Sequence, residues 1–200
     1  MSFHSSPSIG AQAGISLIEL VMFMVIVSVG LAGILSVMNM TARVSADPLL
    51  RKQAVAIAES LLEEIELQPF TYCDPDDAQA AAATSSAGCT GGLAGSEDHL
   101  PLTFEAGETR YADPRFDNVS DYNGFAMSNG IVDITNTAVA GLETYSASVT
   151  ITQVGTSPQF AGLSLPNEDV LKIDVRVTSG SNTDITVSGF RFRYAPNVVP

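Results

Sequence analysis

Positive charge is scarce in this chain. Its 200 residues hold 9 Lys and Arg against 22 Asp and Glu, and no Lys or Arg precedes Arg43. Nucleic-acid binding rests on Lys and Arg neutralising phosphates, so this balance disfavours it and no nucleic-acid partner is expected. The acidic excess is read as solubility. Histidine is nearly absent: His4 lies near the start and His99 in a stretch rich in Gly and acids. There is no nucleophile elbow, no phosphate-cradling glycine loop and no two-His metal motif. The acidic pair Asp76 and Asp77 sits in a low-complexity stretch and is expected to be solvated. No catalytic residue is assigned, the chain is not read as an enzyme, and no cofactor is expected. Cysteine occurs twice, at Cys73 and Cys89. No second Cys or His pair stands at metal spacing, which argues against zinc. In an oxidising compartment the two close as a disulfide; in a reducing one they stay free thiols. The bridge would contribute about 3 kcal/mol by closing that loop.

What the chain does have is an apolar run, "AGISLIELVMFMVIVSVGLAGILSVM", residues 13–38. From Leu20 to Met38 it carries no charge, and a helix of that length nearly spans a bilayer core of ~30 Å. A secretory signal has a basic front and a shorter apolar region; neither applies here. However, "RVSA" at 43–46 looks like a signal-peptidase site, so a cleaved signal ending at Ala46 is an alternative. Arg43, Arg51 and Lys52 follow the span, which by the positive-inside rule alone puts the remainder in the cytoplasm. Long domains translocate largely regardless of charge, and the cysteines favour the oxidising side. Small residues at Ser28, Ala32 and Ser36 fall on one helix face and would let another helix approach closely. Glu19 stands at the front of the run. A carboxylate kept in a membrane helix is a functional hypothesis by default, with a partner to be found. The plainer account is a first-turn acid favoured by the helix dipole.

About 160 residues follow the run, enough for a modest core. Asp47–Pro48 reads as a helix start or as a kink in a continuing helix. Leu50, Ala54, Ile57, Ala58, Leu61 and Ile65 recur at three and four, giving one apolar stripe. Glu59, Glu63, Glu64 and Glu66 lie largely off it, and Pro69 ends the helix. Residues 70–142 read as loops, the first closed by the cysteines. Within them Asp113, Asp117 and Asp121 are weak Ca²⁺ candidates by oxygen density alone. The twelve-residue loop of a specific site is absent, so turn chemistry is the expected role and no metal is assigned. Phe116, Tyr122 and Phe125 are expected to pin this loop to the core. The last third alternates with period two. Tyr145, Ala147, Val149 and Ile151 share one face, and so do Leu171, Ile173, Val175 and Val177. "GSNTD" is a turn leading to a hairpin partner, "ITVSGFRFRY". There the apolar phase changes from Ile185 and Val187 to Phe190, Phe192 and Tyr194, which predicts a β-bulge near Ser188–Gly189. The fold expected is α+β: a long N-terminal helix, membrane half then amphipathic half, packed on a 3–4-stranded antiparallel sheet. Its parts are 15–40, the apolar helix; 41–69, the amphipathic helix; 70–142, the loop-rich region; and 143–200, the sheet.

The stretch "GISLIELVMFMVIVSVGLAGIL" resembles the N-terminus of type IV prepilins and type II secretion pseudopilins: a glycine, Gly14, a glutamate five residues later, Glu19, and a long apolar helix. The resemblance implies that residues 1–14 are a leader. A membrane aspartic peptidase would cut between Gly14 and Ile15 and methylate the new amine of Ile15. It also gives Glu19 a partner, the α-amine of a neighbouring subunit's Ile15, positive below a pKa of roughly 8. In low dielectric that pair attracts strongly and sets the subunit's register. Ile15 stands where the family usually has Phe, and the leader lacks its usual basic residue. Ser36 stands near the proline of major pilins, which implies a minor subunit. "ADPLLRKQAVAIAESLLEEI", "YCDPDDAQAAAA" and "RFDNVSDYNGF" narrow the resemblance to the minor pilins of mannose-sensitive haemagglutinin pili, over most of residues 14–135. It implies a fold of the pilin plan and a role in an adhesive bacterial pilus. The implied partners are other pilin subunits, the prepilin peptidase, the inner-membrane pilus assembly platform and membrane lipid. The head would lie in the periplasm until assembly carries it to the cell surface. Two alternatives keep the span: a minor pseudopilin of type II secretion, and a single-pass anchored binding domain that never assembles.

Overall fold

The computed structural model describes residues 16–180 and 182–197, and among these the side chains of all but 41–47. The chain divides between Ala46 and Asp47 into two compact units. One helix, α1, runs Leu17–Glu66, 50 residues. Its stretch Leu17–Met40, 24 residues, is long and apolar enough to cross a membrane. At a rise of 1.5 Å per residue that stretch is about 36 Å long, more than a hydrocarbon core needs. Every described side chain in it is exposed, so none of them belongs to a buried core. Pro48 lies inside α1, so the helix continues through it. The proline has no N–H to give the carbonyl four residues back.

In the second unit the predicted stripe faces a core. Ala54, Ala58, Leu61 and Ile65 are buried, with Leu50 and Ile57 packed at the margin. They lie against an antiparallel sheet of order β1-β2-β3-β4. Its strands are β1, Ala126–Met127, β2, Tyr145–Gln153, β3, Val170–Ser179, and β4, Thr183–Phe192. Period-two alternation sets the register: Ala147 pairs with Val177, Val149 with Val175 and Ile151 with Ile173. All six are buried on the face that the helix covers. The Tyr145 hydroxyl donates to Gln53 Oε1 at 2.8 Å and so ties β2 to the helix.

The bulge expected near Ser188–Gly189 is not formed. β4 pairs with β3 without a break, Val187 on Val175, Ser188 on Asp174, Gly189 on Ile173 and Phe190 on Lys172. The phase changes because both faces of this strand carry apolar cover. Ile185 and Val187 pack towards the core, while Phe190 and Phe192 on the other face meet Phe160, each with ring centroids 5.5 Å apart. Phe160 comes from a 3₁₀ turn, Pro158–Leu163. Gly189 then falls on the helix side, where a Cβ would meet Leu62 and overlap Glu66.

Loops carry the rest of the unit, and the rings expected to pin them do so. Phe116 and Tyr122 are buried with centroids 5.0 Å apart, and Phe125 closes on both. The side chain of Arg193, just past β4, is 1% exposed, with its guanidinium over the Phe70 and Tyr72 rings. It ion-pairs with buried Asp98 and, at 3.1 Å, with Asp169. Three loops are thereby fastened to the end of the sheet. The loop after β2 turns at Gly155, whose N–H donates to Asn167 O at 3.0 Å. A Cβ on Gly155 would overlap the Pro166 carbonyl, which is backbone and cannot swing aside. Gly155→Ala is therefore expected to destabilise the head by about 1–3 kcal/mol, although alanine is otherwise the less entropically costly residue. Thermal unfolding of the detergent-solubilised full chain, followed by near-UV circular dichroism, checks this; an unchanged or higher midpoint contradicts it.

Candidate functional site

Two places hold chemistry: the front of α1 and a cluster of carboxylates in the second unit. At the front, Ser16 is the last described residue before the helix, and its carbonyl accepts the N–H of Glu19 at 3.0 Å and of Leu20 at 3.1 Å. Glu19 thus stands in the first turn, exposed, and makes no ion pair among the described residues. Gly14 and Ile15, the expected cleavage and methylation residues, lie outside the described residues. Of the small-residue stripe, Ser28 spends its hydroxyl on the Met24 carbonyl at 2.6 Å. That leaves an apolar face for close approach.

The second place is built by long-range ties. Cys73 and Cys89 form the disulfide, which closes the segment that begins the cluster. Asp74 follows directly. Its Oδ1 accepts the Asp76 N–H at 2.6 Å, an Asx turn that folds the chain back. The Tyr72 carbonyl accepts the Glu97 N–H at 3.0 Å, and the Arg193–Asp98 pair holds the next residue. Asn118 Nδ2 donates to Thr71 Oγ1 at 2.7 Å, bringing in Asp117 and Asp121. As a result carboxylate oxygens of Asp74, Asp76 and Asp117 lie within 4.8 Å of one another, and so do those of Asp74, Glu97 and Glu105. Asp74 belongs to both groups.

Charge is concentrated here without compensation. None of the ion pairs among the described residues reaches these five carboxylates. Burial raises Asp74 above the ordinary carboxylate range. Burial and then the Asp74 charge push Asp117 up to about 7. The same two causes push the neighbouring Glu108 up to about 7. Glu97 is raised by burial, against the pull of the Ser120 hydroxyl that it accepts, and by Asp74 and Glu105. Asp121 is raised by burial and then by Glu97. Three buried carboxylate oxygens find no hydrogen-bond partner among the described residues: Asp74 Oδ2, Asp117 Oδ1 and Asp121 Oδ1. Such orphaned charged oxygens are costly in a folded chain.

The sequence candidates Asp113, Asp117 and Asp121 are not brought together as a set. Asp113 is exposed and outside both groups. Asp121 Oδ2 accepts the backbone N–H groups of Asp117 and Asn118, at 3.1 and 2.7 Å, which is turn chemistry. Asp117 alone of the three enters the cluster. Asp76, read as solvated, also belongs to it, whereas Asp77 is occupied by Gln79 and Thr90. Sequence reading also missed Glu64, placed off the stripe. It makes a bidentate pair with Arg110, both contacts 2.7 Å, and accepts the Tyr122 hydroxyl at 3.0 Å. The only signal for it was one more glutamate in an acidic helix. No protein-family model, curated protein or solved structure matches this chain.

The raised carboxyls set a pH dependence. A group held above its unfolded pKa keeps its proton in the folded chain and releases it on unfolding, so stability falls as pH rises. With chelator present, the unfolding midpoint of the second unit is expected to be higher at about pH 5.5 than at about pH 8, since Asp117 and Glu108 titrate near 7. Below about pH 4 carboxylates held low, such as Asp174 beside Lys172, reverse the trend. Calorimetry of the full chain across that range checks the sign; a flat or rising midpoint contradicts it.

Proposed function

We propose that this chain is a minor pilin subunit of a type IV pilus of the mannose-sensitive haemagglutinin type, processed between Gly14 and Ile15 and assembled through its N-terminal helix. The observation that carries the reading is Glu19, the sole acid of a helix stretch, Leu17–Met40, otherwise apolar enough for a bilayer. An isolated carboxylate in that setting is strongly unfavourable unless it meets a positive group. Prepilin processing would supply one, the methylated amine of Ile15 on a neighbouring subunit, in an N-terminal region that has no Lys or Arg before Arg43.

The remaining features support the same reading. An amphipathic helix face on a four-stranded antiparallel sheet suits a head carried on a pilin helix. The Cys73–Cys89 disulfide suits an oxidising periplasm. The exposed apolar surface of Leu17–Met40 suits a segment held first by lipid and then by other subunits' helices. Because Glu19 needs another subunit's amine, the chain is not placed alone at the extreme tip of the filament. Adhesion belongs to the pilus as a whole in this reading, and no residue of the head is assigned to a receptor.

Glu19→Ala is expected to leave leader cleavage largely intact and to reduce incorporation into sheared filaments by at least ~10-fold, since breaking a buried ion pair costs about 3–5 kcal/mol. Quantitative immunoblotting of filament and membrane fractions reads both. Normal amounts of the variant in filaments would contradict assembly through Glu19.

A further inference from the structure

We propose that the head holds one divalent cation of the calcium class, ligated by Asp74 together with Asp76, Glu97, Glu105 and Asp117. The cluster alone would not carry this, since exposed acids gather on many surfaces without an ion. Here the central carboxylate is not exposed. Asp74 is 3% exposed, its Oδ2 has no partner among the described residues, and it is the member common to both groups of converging oxygens. Beside it, Asp117 Oδ1 is likewise buried and without a partner. No Lys or Arg among the described residues pairs with any of the five.

The donor set selects the class of ion. All five residues offer oxygen, and the cluster contains neither Cys thiolate nor His. That favours a hard cation over zinc or copper. Ca²⁺ takes six to eight oxygens at about 2.3–2.6 Å and accepts carboxylates in one- or two-oxygen modes. The oxygens of Asp74, Asp76 and Asp117 lie within 4.8 Å of one another, as do those of Asp74, Glu97 and Glu105. Each group of three fits inside one such shell, whose diameter is about twice the bond length, and an ion at Asp74, the residue common to both, would draw the two groups together. Entry is open: a cleft of ≈ 390 Å³, lined in part by Asp74, Asp76 and Glu105, leads from solvent to the cluster.

The ion would act as a clasp. Asp74 and Asp76 belong to the segment closed by the disulfide, Glu97 and Glu105 to the chain before Arg110, and Asp117 to the ring-packed loop. One cation bonded to all three segments joins loops that otherwise repel one another. The site depends on the geometry of the head and not on the filament reading, so either can fail without the other.

The test is isothermal titration calorimetry of the chelator-treated, detergent-solubilised full chain with CaCl₂, paired with its thermal unfolding. One saturable site per chain is expected, with a dissociation constant of about 10⁻⁴ M or tighter, and a higher unfolding midpoint in ~5 mM Ca²⁺. The double variant Asp76→Asn, Glu105→Gln changes two exposed side chains. It is expected to fold as the parent does and to bind Ca²⁺ at least ~10-fold more weakly. If the double variant does not fold, Glu105→Gln alone carries the same expectation of weaker binding. Asp113→Asn, outside the cluster, is expected to match the parent. Absence of a saturable heat and of any Ca²⁺-dependent midpoint at ~5 mM would overturn the site. Parent-like binding by the ligand variants would overturn it too. An equal response to MgCl₂ would overturn the assignment to calcium.

Discussion

The second unit depends on one contact, the apolar stripe of α1 laid against one face of a four-stranded sheet. Ala54, Ala58, Leu61 and Ile65 of the helix are buried in one core with Val149, Ile173 and Val175 of the sheet. Without that cover the sheet would present a row of branched apolar side chains to water, and the helix would have no reason to stay helical beyond its propensity. The polar ties follow from it. Glu64 can hold Arg110 and Tyr122 only because the stripe fixes the rotation of the helix, and Gln53 reaches Tyr145 for the same reason.

A second constraint opposes the first. The loops that carry Asp74, Glu97 and Asp117 crowd carboxylates that no Lys or Arg among the described residues neutralises. They are held there by covalent and buried links: the Cys73–Cys89 disulfide, the Arg193–Asp98 pair and the Asn118–Thr71 hydrogen bond. A fold that confines charge this way keeps it protonated or meets it with an external cation. Packing does not account for this arrangement.

Much of the fold was legible because it rests on local periodicity. The spacing of three and four from Leu50 to Ile65 marks the helix face, and alternation in "YSASVTI" and "LKIDVRV" marks β2 and β3. The disulfide followed from two cysteines and an export argument. What failed had long-range causes. The phase of β4 looked like a bulge because nothing near it in sequence shows that Phe160 covers its other face. The carboxylate cluster draws on positions from Asp74 to Asp117, and only the three-dimensional links select those acids over Asp113 or Asp77. Glu64 was indistinguishable from Glu59 and Glu63 until Arg110 was seen opposite it. At the front of the chain, by contrast, the argument stays with the sequence pattern around Gly14 and Glu19.

The intact mass and N-terminal residue of the protein, taken from its native membrane, test the central claim most directly. The account requires a chain that begins at Ile15 and is one methyl group heavier than its sequence. A chain that begins at Asp47 would mean that the apolar helix is a discarded signal and the head a free domain, and the role given to Glu19 would fall with it.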